Sequence, residues 1–366
     1  MRKSRSGDKI LLIFMSAILL LGTVGLCGFP APRFSAAENR LLSAFPVFST
    51  EALADGTYTA ALDSYAAERV PFRGIGRAVY ATGELALWRG EAHGVILCRD
   101  GSLCRRLAVN EQIFKQNLSA LPRLQKNLGD LPLTTAVAPR RIDVRCEVLP
   151  ALYNTAREQA VWEQLPAGVV TFLDATEDVQ WYRTDHHWTQ EGAYFAYVRL
   201  SRYLGYTPHP KSDFNVQTLS QSFPGTSAAA AGFLHVNPDT ISVFRYTGEE
   251  SYRVLRDGKP AEFAGLYDTA KLTTSDQYAL FLGGNCGLLQ IDLGEEDTRP
   301  ALLVIKDSFA NSLFPFLARH YRILAIDPRY CSKIDLAALA SACDRALVLC
   351  GMQTLTQTPF FQGLLR

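Results

Sequence analysis

The sequence predicts an α/β fold built on a mainly parallel sheet. Beyond Gly129, short apolar runs of strand length, at 133–138, 168–173, 278–282, 288–291, 301–305, 322–326 and 345–349, alternate with helical segments. The last third reads strand, turn, helix, strand, helix, strand, the alternation that crossovers between parallel strands require. Composition agrees: 366 residues, 48% hydrophobic and only 20% charged, supply a sizeable core and exclude global disorder. That length holds one large domain with accessories, or two domains.

From the N-terminus, Arg2, Lys3, Arg5 and Lys9 precede an uncharged apolar run at 10–28. At helical rise this run spans about 28 Å, the thickness of a bilayer core. The reading is a transmembrane signal anchor with residues 1–9 as a cytoplasmic tail and the body outside. A removed signal peptide is the alternative, with Ser35-Ala36-Ala37 as its cleavage site. Leu26 before Cys27 does not suit a lipoprotein site.

Residues 29–128 read as an accessory linker with a helical and hairpin region. Helices are expected at 52–69, ended or kinked by Pro71, and at 75–88 and 111–128. Asp100-Gly101 marks a hairpin turn. Cys98 and Cys104 flank it, either facing each other across the strands or serving as two small hydrophobes. Eight cysteines, seven of them after Cys27, give no disulfide framework and no zinc spacing. The α/β domain fills 129–366. Its helix at 190–204 carries Ala193, Ala196, Tyr197, Leu200 and Leu204 on one face. Further helices are expected at 309–320 and 334–341. Residues 206–277, rich in glycine, serine and alanine, read as an insertion over the sheet with some β structure.

Lys and Arg total 37 against 36 Asp and Glu. Nucleic acid is thereby disfavoured, since phosphate neutralisation needs a basic excess.

Two places carry chemistry. Thr184-Asp185-His186-His187-Trp188-Thr189 precedes the 190–204 helix. An Asp-x-His step sets a carboxylate against an imidazole N–H and leaves the other nitrogen as a base. Capping of the helix, or a metal site, are the other readings. The second place is the apolar run 302–305 ending at Lys306-Asp307-Ser308. A serine there sits at the carboxyl edge of the sheet with a helix N-terminus behind it, although Asp-Ser also makes an ordinary N-cap. Serine, histidine and carboxylate together fit nucleophilic acyl transfer. Gly284 and Asn285, after the 278–282 run, are oxyanion candidates or merely a turn.

Asp185-His186-His187-Trp188 resembles the signature of the DHHW family. Supporting stretches are Glu38-Asn39-Arg40, Pro71-Phe72-Arg73, Tyr182-Arg183-Thr184, Phe281-Leu282-Gly283-Gly284-Asn285, residues 305–313, and Asp327-Pro328-Arg329-Tyr330. That family is similar to the SGNH-hydrolase-like alginate O-acetyltransferases. The resemblance implies a three-layer sandwich and a catalytic set of Asp185, His187 as base and Ser308 as nucleophile. His186 falls on the variable position between acid and base. Lys306 departs from the pattern, standing where the usual block has glycine. Aspartate and histidine precede serine here, the order of the alginate enzymes. An extracytoplasmic O-acetyltransferase acting on a cell-envelope or exported polysaccharide follows, with no metal and no cofactor. A polytopic membrane-bound O-acyltransferase partner is implied, since no coenzyme A site is legible. A carbohydrate esterase using the same triad, or a non-catalytic glycan-binding scaffold, are the alternatives.

Overall fold

The computed structural model describes residues 7, 9–17, 20, 34–35, 40–70, 73–174, 180–248, 251–331 and 334–365. The chain divides into two units, Met1–Ala92 with Gly232–Leu234, and His93–Ala231 with His235–Arg366.

In the first unit, Phe34–Ser35 pairs antiparallel with Arg40–Leu41. Helices Thr50–Ala54, Thr57–Ala67 and Arg73–Ala86 follow. The helix expected at 52–69 is broken at Gly56, whose φ of +82° lies in the left-handed region. Of the anchor expected at 10–28, residues 10–17 and 20 are helical and exposed, and the remainder lies outside the described residues. Ala36 and Ala37 of the alternative cleavage site lie outside them too. Among the described residues no helix is long and apolar enough to cross a membrane. The expected transmembrane helix is therefore not supported.

The second unit is built on eight strands. They are β1 (Leu133–Ala138), β2 (Val170–Thr171), β3 (Arg253–Arg256), β4 (Lys259–Pro260), β5 (Leu288–Asp292), β6 (Ala301–Lys306), β7 (Arg322–Ile326) and β8 (Arg345–Gly351). Their spatial order is β4-β3-β5-β7-β6-β8-β1-β2. From β7 to β2 every pairing is parallel. At the other edge β5, β3 and β4 each run antiparallel to their neighbour.

All six residues of β6 are buried, with Leu302 and Val304 in one core and Leu303 and Ile305 in the other. Helices on both faces of a parallel sheet require such two-sided burial. Helix α1 (Glu111–Leu128) packs Phe114, Leu124 and Leu128 into the core of Leu303 and Ile305. Helix α2 (Gln190–Leu204) packs Ala193, Ala196, Tyr197 and Leu200 into the opposite core. The result is three layers. Side-chain caps from Asn110 and Thr189 fix the helix starts, each contributing about 1 kcal/mol.

Several elements differ from expectation. Residues 278–282 form no strand. Gln277–Leu280 is a 3-10 turn, the φ of Leu282 is +60°, and one bridge joins Phe281 to Tyr267. This apolar run is buried as a loop, which periodicity alone does not distinguish from a short strand. The helix expected at 309–320 shrinks to a 3-10 turn, Ser308–Ala310, and a short helix, Phe314–Leu317. Pro315 lacks the N–H that would continue the ladder, so the helix restarts there. Residues 206–277 hold an antiparallel pair, Phe214–Phe223 with Asp239–Tyr246, the short helix α3 (Thr226–Ala231), and β3 and β4 of the main sheet. Residues 93–128, grouped in sequence with the accessory region, lie in the same unit as the sheet.

The chain leaves β6 for β7 on one side, then crosses to β8 on the other. The carboxyl end of β6 is thus a topological switch point, where open α/β sheets bind ligands. Ser308 follows two residues later.

Candidate active site

The turn after β6 is capped by Asp307. One carboxylate oxygen accepts the Phe309 N–H at 2.9 Å. The other accepts the Gly351 N–H at 2.7 Å and the Thr354 hydroxyl at 2.6 Å. Sequence left open whether Asp-Ser serves as a cap or a nucleophile. Asp307 takes the cap, which leaves the Ser308 side chain free to point elsewhere.

It points at His187. The imidazole Nε2 lies 2.7 Å from Ser308 Oγ, and Nδ1 lies 2.6 Å from Asp185 Oδ1. A carboxylate only accepts, so Nδ1 carries the proton and Nε2 presents a lone pair to the serine hydroxyl. Asp185, 1% exposed, accepts three more hydrogen bonds. They come from the His187 N–H at 2.9 Å, the Thr226 N–H at 2.7 Å and the Thr226 hydroxyl at 2.7 Å. Burial works to raise the Asp185 carboxyl, but the hydrogen bonds it accepts from His187 and Thr226 outweigh it. The group is held well below the usual carboxylate range.

The loop carrying Asp185 is pinned from behind. Asp239 accepts the N–H groups of Arg183 and Thr184 at 2.9 and 2.7 Å and the Thr184 hydroxyl at 2.6 Å. Burial pushes the Asp239 carboxyl up. Gly225, at φ +64°, passes so close to Thr184 that a Cβ would stand 2.2 Å from its carbonyl oxygen. Trp188 joins the two loops. Its indole N–H donates to the Phe309 carbonyl at 3.1 Å and the Ser312 hydroxyl at 3.0 Å. The Tyr278 ring stacks on His187 at 3.8 Å and 3°, and its hydroxyl donates to Ser312. Tyr278 and Trp188 thus fix the imidazole face and the turn at once.

The oxyanion candidates separate. The Gly284 N–H donates to the Phe281 carbonyl at 3.1 Å and is spent in the turn, so Gly284 is not a free donor. Asn285 differs. Its Oδ1 faces Lys306 Nζ at 3.2 Å and Asn311 Nδ2 at 3.1 Å. Ammonium only donates, so this assignment of the amide is forced. It leaves Asn285 Nδ2 as a donor with no protein partner among the described residues, a condition the Ser308 N–H shares. Lys306, 1% exposed, also donates to Asn311 Oδ1 at 2.6 Å, and its nearest carboxylate oxygen, on Asp327, is 4.0 Å away. Burial lowers the ammonium below its usual value.

Thr226, Asn311, Tyr278 and Asp239 escaped the sequence reading. Only the lysine before Asp-Ser gave a signal, as a departure from the usual glycine. Asp185, His186 and His187 offer ligand atoms within 4.8 Å of one another, as a metal site would. Both Asp185 oxygens and His187 Nδ1 are taken up in the hydrogen bonds above. Cys98 and Cys104 do face each other across the hairpin, as free thiols with Sγ atoms 3.2 Å apart.

Several solved structures share this fold. A DHHW family protein from Eubacterium siraeum DSM 15702 superposes with a TM-score of 0.62 at 19% identity, covering 75% of this chain and 95% of that one. PatB1 of Bacillus cereus superposes at 0.58 and 18%, covering 73% and 98%. The same protein with a sulfonyl adduct gives the same score and identity. No curated protein matches the sequence. Residues 172–326, which include Asp185, His187 and Ser308, match the family model described as DHHW protein.

Proposed function

We propose that this chain is an extracytoplasmic, serine-dependent O-acyltransferase that acetylates a cell-envelope or exported polysaccharide through an acyl-Ser308 intermediate. The observation that carries the reading is the hydrogen-bonded run from Asp185 through His187 to Ser308, with both links under 2.8 Å. Ser308 Oγ attacks the carbonyl carbon of an acyl donor as its proton passes to His187 Nε2. Asp185 holds the resulting imidazolium. The oxyanion accepts from the Ser308 N–H and Asn285 Nδ2. The donor's alcohol departs with the proton from His187, leaving the acyl group on Ser308. A sugar hydroxyl then attacks, gives its proton to His187, and the collapsing intermediate returns that proton to Ser308 Oγ.

The 2.7 Å contact favours catalysis over a non-catalytic scaffold. Resemblance to the alginate enzymes in the order of acid, base and serine favours transfer over hydrolysis. In this reading the body of the chain works outside the cytoplasmic membrane. A polytopic membrane-bound O-acyltransferase passes it acyl groups.

Turnover of an aryl acetate by the full chain tests this. Wild type releases phenol and transfers acetyl to added glycan, whereas Ser308→Ala and His187→Ala lose at least a thousandfold. Equal rates in all three proteins would overturn the proposal.

A further inference from the structure

His186 is the one member of the Asp185–His187 turn that the mechanism leaves unused. Its Nδ1 lies 2.8 Å from Thr226 Oγ1. That hydroxyl has a single proton and donates it to Asp185 Oδ2 at 2.7 Å. At the other contact the hydroxyl must therefore accept, so His186 Nδ1 carries a proton. Burial lowers the ring well below its usual pKa, which favours the neutral imidazole with its one proton on Nδ1. Nε2 is then an unprotonated acceptor, and it has no hydrogen-bond partner among the described residues. The side chain is 27% exposed, against 4% for His187. The two rings stack with centroids 3.8 Å apart and a 38° tilt. A second imidazole lone pair, on a partly exposed side chain, thus stands on the ring stacked against the one that holds Ser308.

We infer that His186 is an acceptor-binding residue: its Nε2 takes a hydrogen bond from a second hydroxyl of the incoming polyol while a neighbouring hydroxyl attacks acyl-Ser308. Hydroxyls on adjacent sugar carbons are close enough to engage two stacked rings. Water and simple alcohols have no second hydroxyl to offer. His186 forms and breaks no covalent bond here. Its contribution is to set a vicinal diol over the acyl carbon and so to favour transfer over hydrolysis. This inference rests on the serine mechanism proposed above and adds the chemical class of acceptor, a vicinal diol.

The test partitions the acetyl group from 4-nitrophenyl acetate between two alcohols, using the full chain. Ethylene glycol offers two hydroxyls. 2-Methoxyethanol has the second capped as an ether and unable to donate. Wild type is expected to prefer the glycol by about tenfold per mole, the worth of one hydrogen bond. His186→Asn keeps an amide donor where Nδ1 meets Thr226 but lacks any atom at the Nε2 position. It should lose the preference, with transfer to the glycol falling further than acylation. In His186→Gln the amide oxygen reaches that position, and the preference should return in part. An unchanged preference in His186→Asn would overturn the inference, as would an equal fall in acylation and transfer, the mark of a structural role. Absence of a Ser308-dependent acetyl adduct in wild type would overturn the serine mechanism itself, and this inference with it.

Discussion

Asp185 accepts four hydrogen bonds, two from His187 and two from Thr226, so replacing it with asparagine sets an amide N–H against a donor whichever way it turns. Asp185→Asn should lower ester turnover by several orders of magnitude while the protein stays folded. A carboxyl held low in the folded state stabilises the fold above its ordinary range, and that contribution is lost as pH falls through the folded value. The stability gap between wild type and Asp185→Asn should therefore be widest near neutrality and narrow below about pH 4. Urea unfolding across pH reads it directly, and a gap that widens toward acid would contradict the assignment. Lys306 makes a second case. Lys306→Met preserves volume but frees the Asn285 amide, so kcat should fall by 10- to 100-fold at most, roughly, with KM nearly unchanged. Because Lys306 acts through Asn285, adding Lys306→Met to Asn285→Ala should cost little more, whereas multiplying losses would contradict the link. At this scale the three residues that meet, Asp185, His187 and Ser308, were legible as candidates, since they sit in short local patterns. Thr226 and Asn311 were not, because nothing near them in sequence announces a partner that only folding brings close.

Helices α1 and α2 were legible to the residue. Both have a side-chain cap at the start, a period near 3.6 and a glycine at the end, so local chemistry and tertiary burial agree. Elements nearest the site were not. The 278–282 run gave up strand pairing so that Tyr278 could stack on His187. The segment after Ser308 is broken into short turns, its tertiary hydrogen bonds through Asn311 and Ser312 replacing a regular ladder. A site assembled from turns carries little periodicity to read. The Pro224-Gly225 turn shows how tightly these pieces fit. Any side chain at Gly225 meets both a positive φ and the Thr184 carbonyl. Gly225→Ala should cost about 3 kcal/mol or more, seen as a lowered denaturation midpoint, and should also depress activity by moving Asp185. A stability change under about 0.5 kcal/mol would show that the turn yields easily.

At the scale of the molecule, alternating strands and helices foretold the α/β class, but strand order was beyond local reading. The antiparallel edge of β5, β3 and β4, and the crossing from β7 to β8 past β6, depend on pairings between distant segments. That crossing makes the end of β6 the place where a loop from residue 187 meets one from residue 308, although 121 residues separate them. The central claim is that this meeting makes Ser308 a nucleophile. The most direct measurement incubates the full chain with a sulfonyl fluoride and maps the adduct by peptide mass spectrometry. The account predicts a single sulfonyl group on Ser308, formed at least a hundredfold more slowly in His187→Ala and absent in Ser308→Ala. Labelling spread over other residues, or labelling at Ser308 that ignores loss of His187, would contradict it.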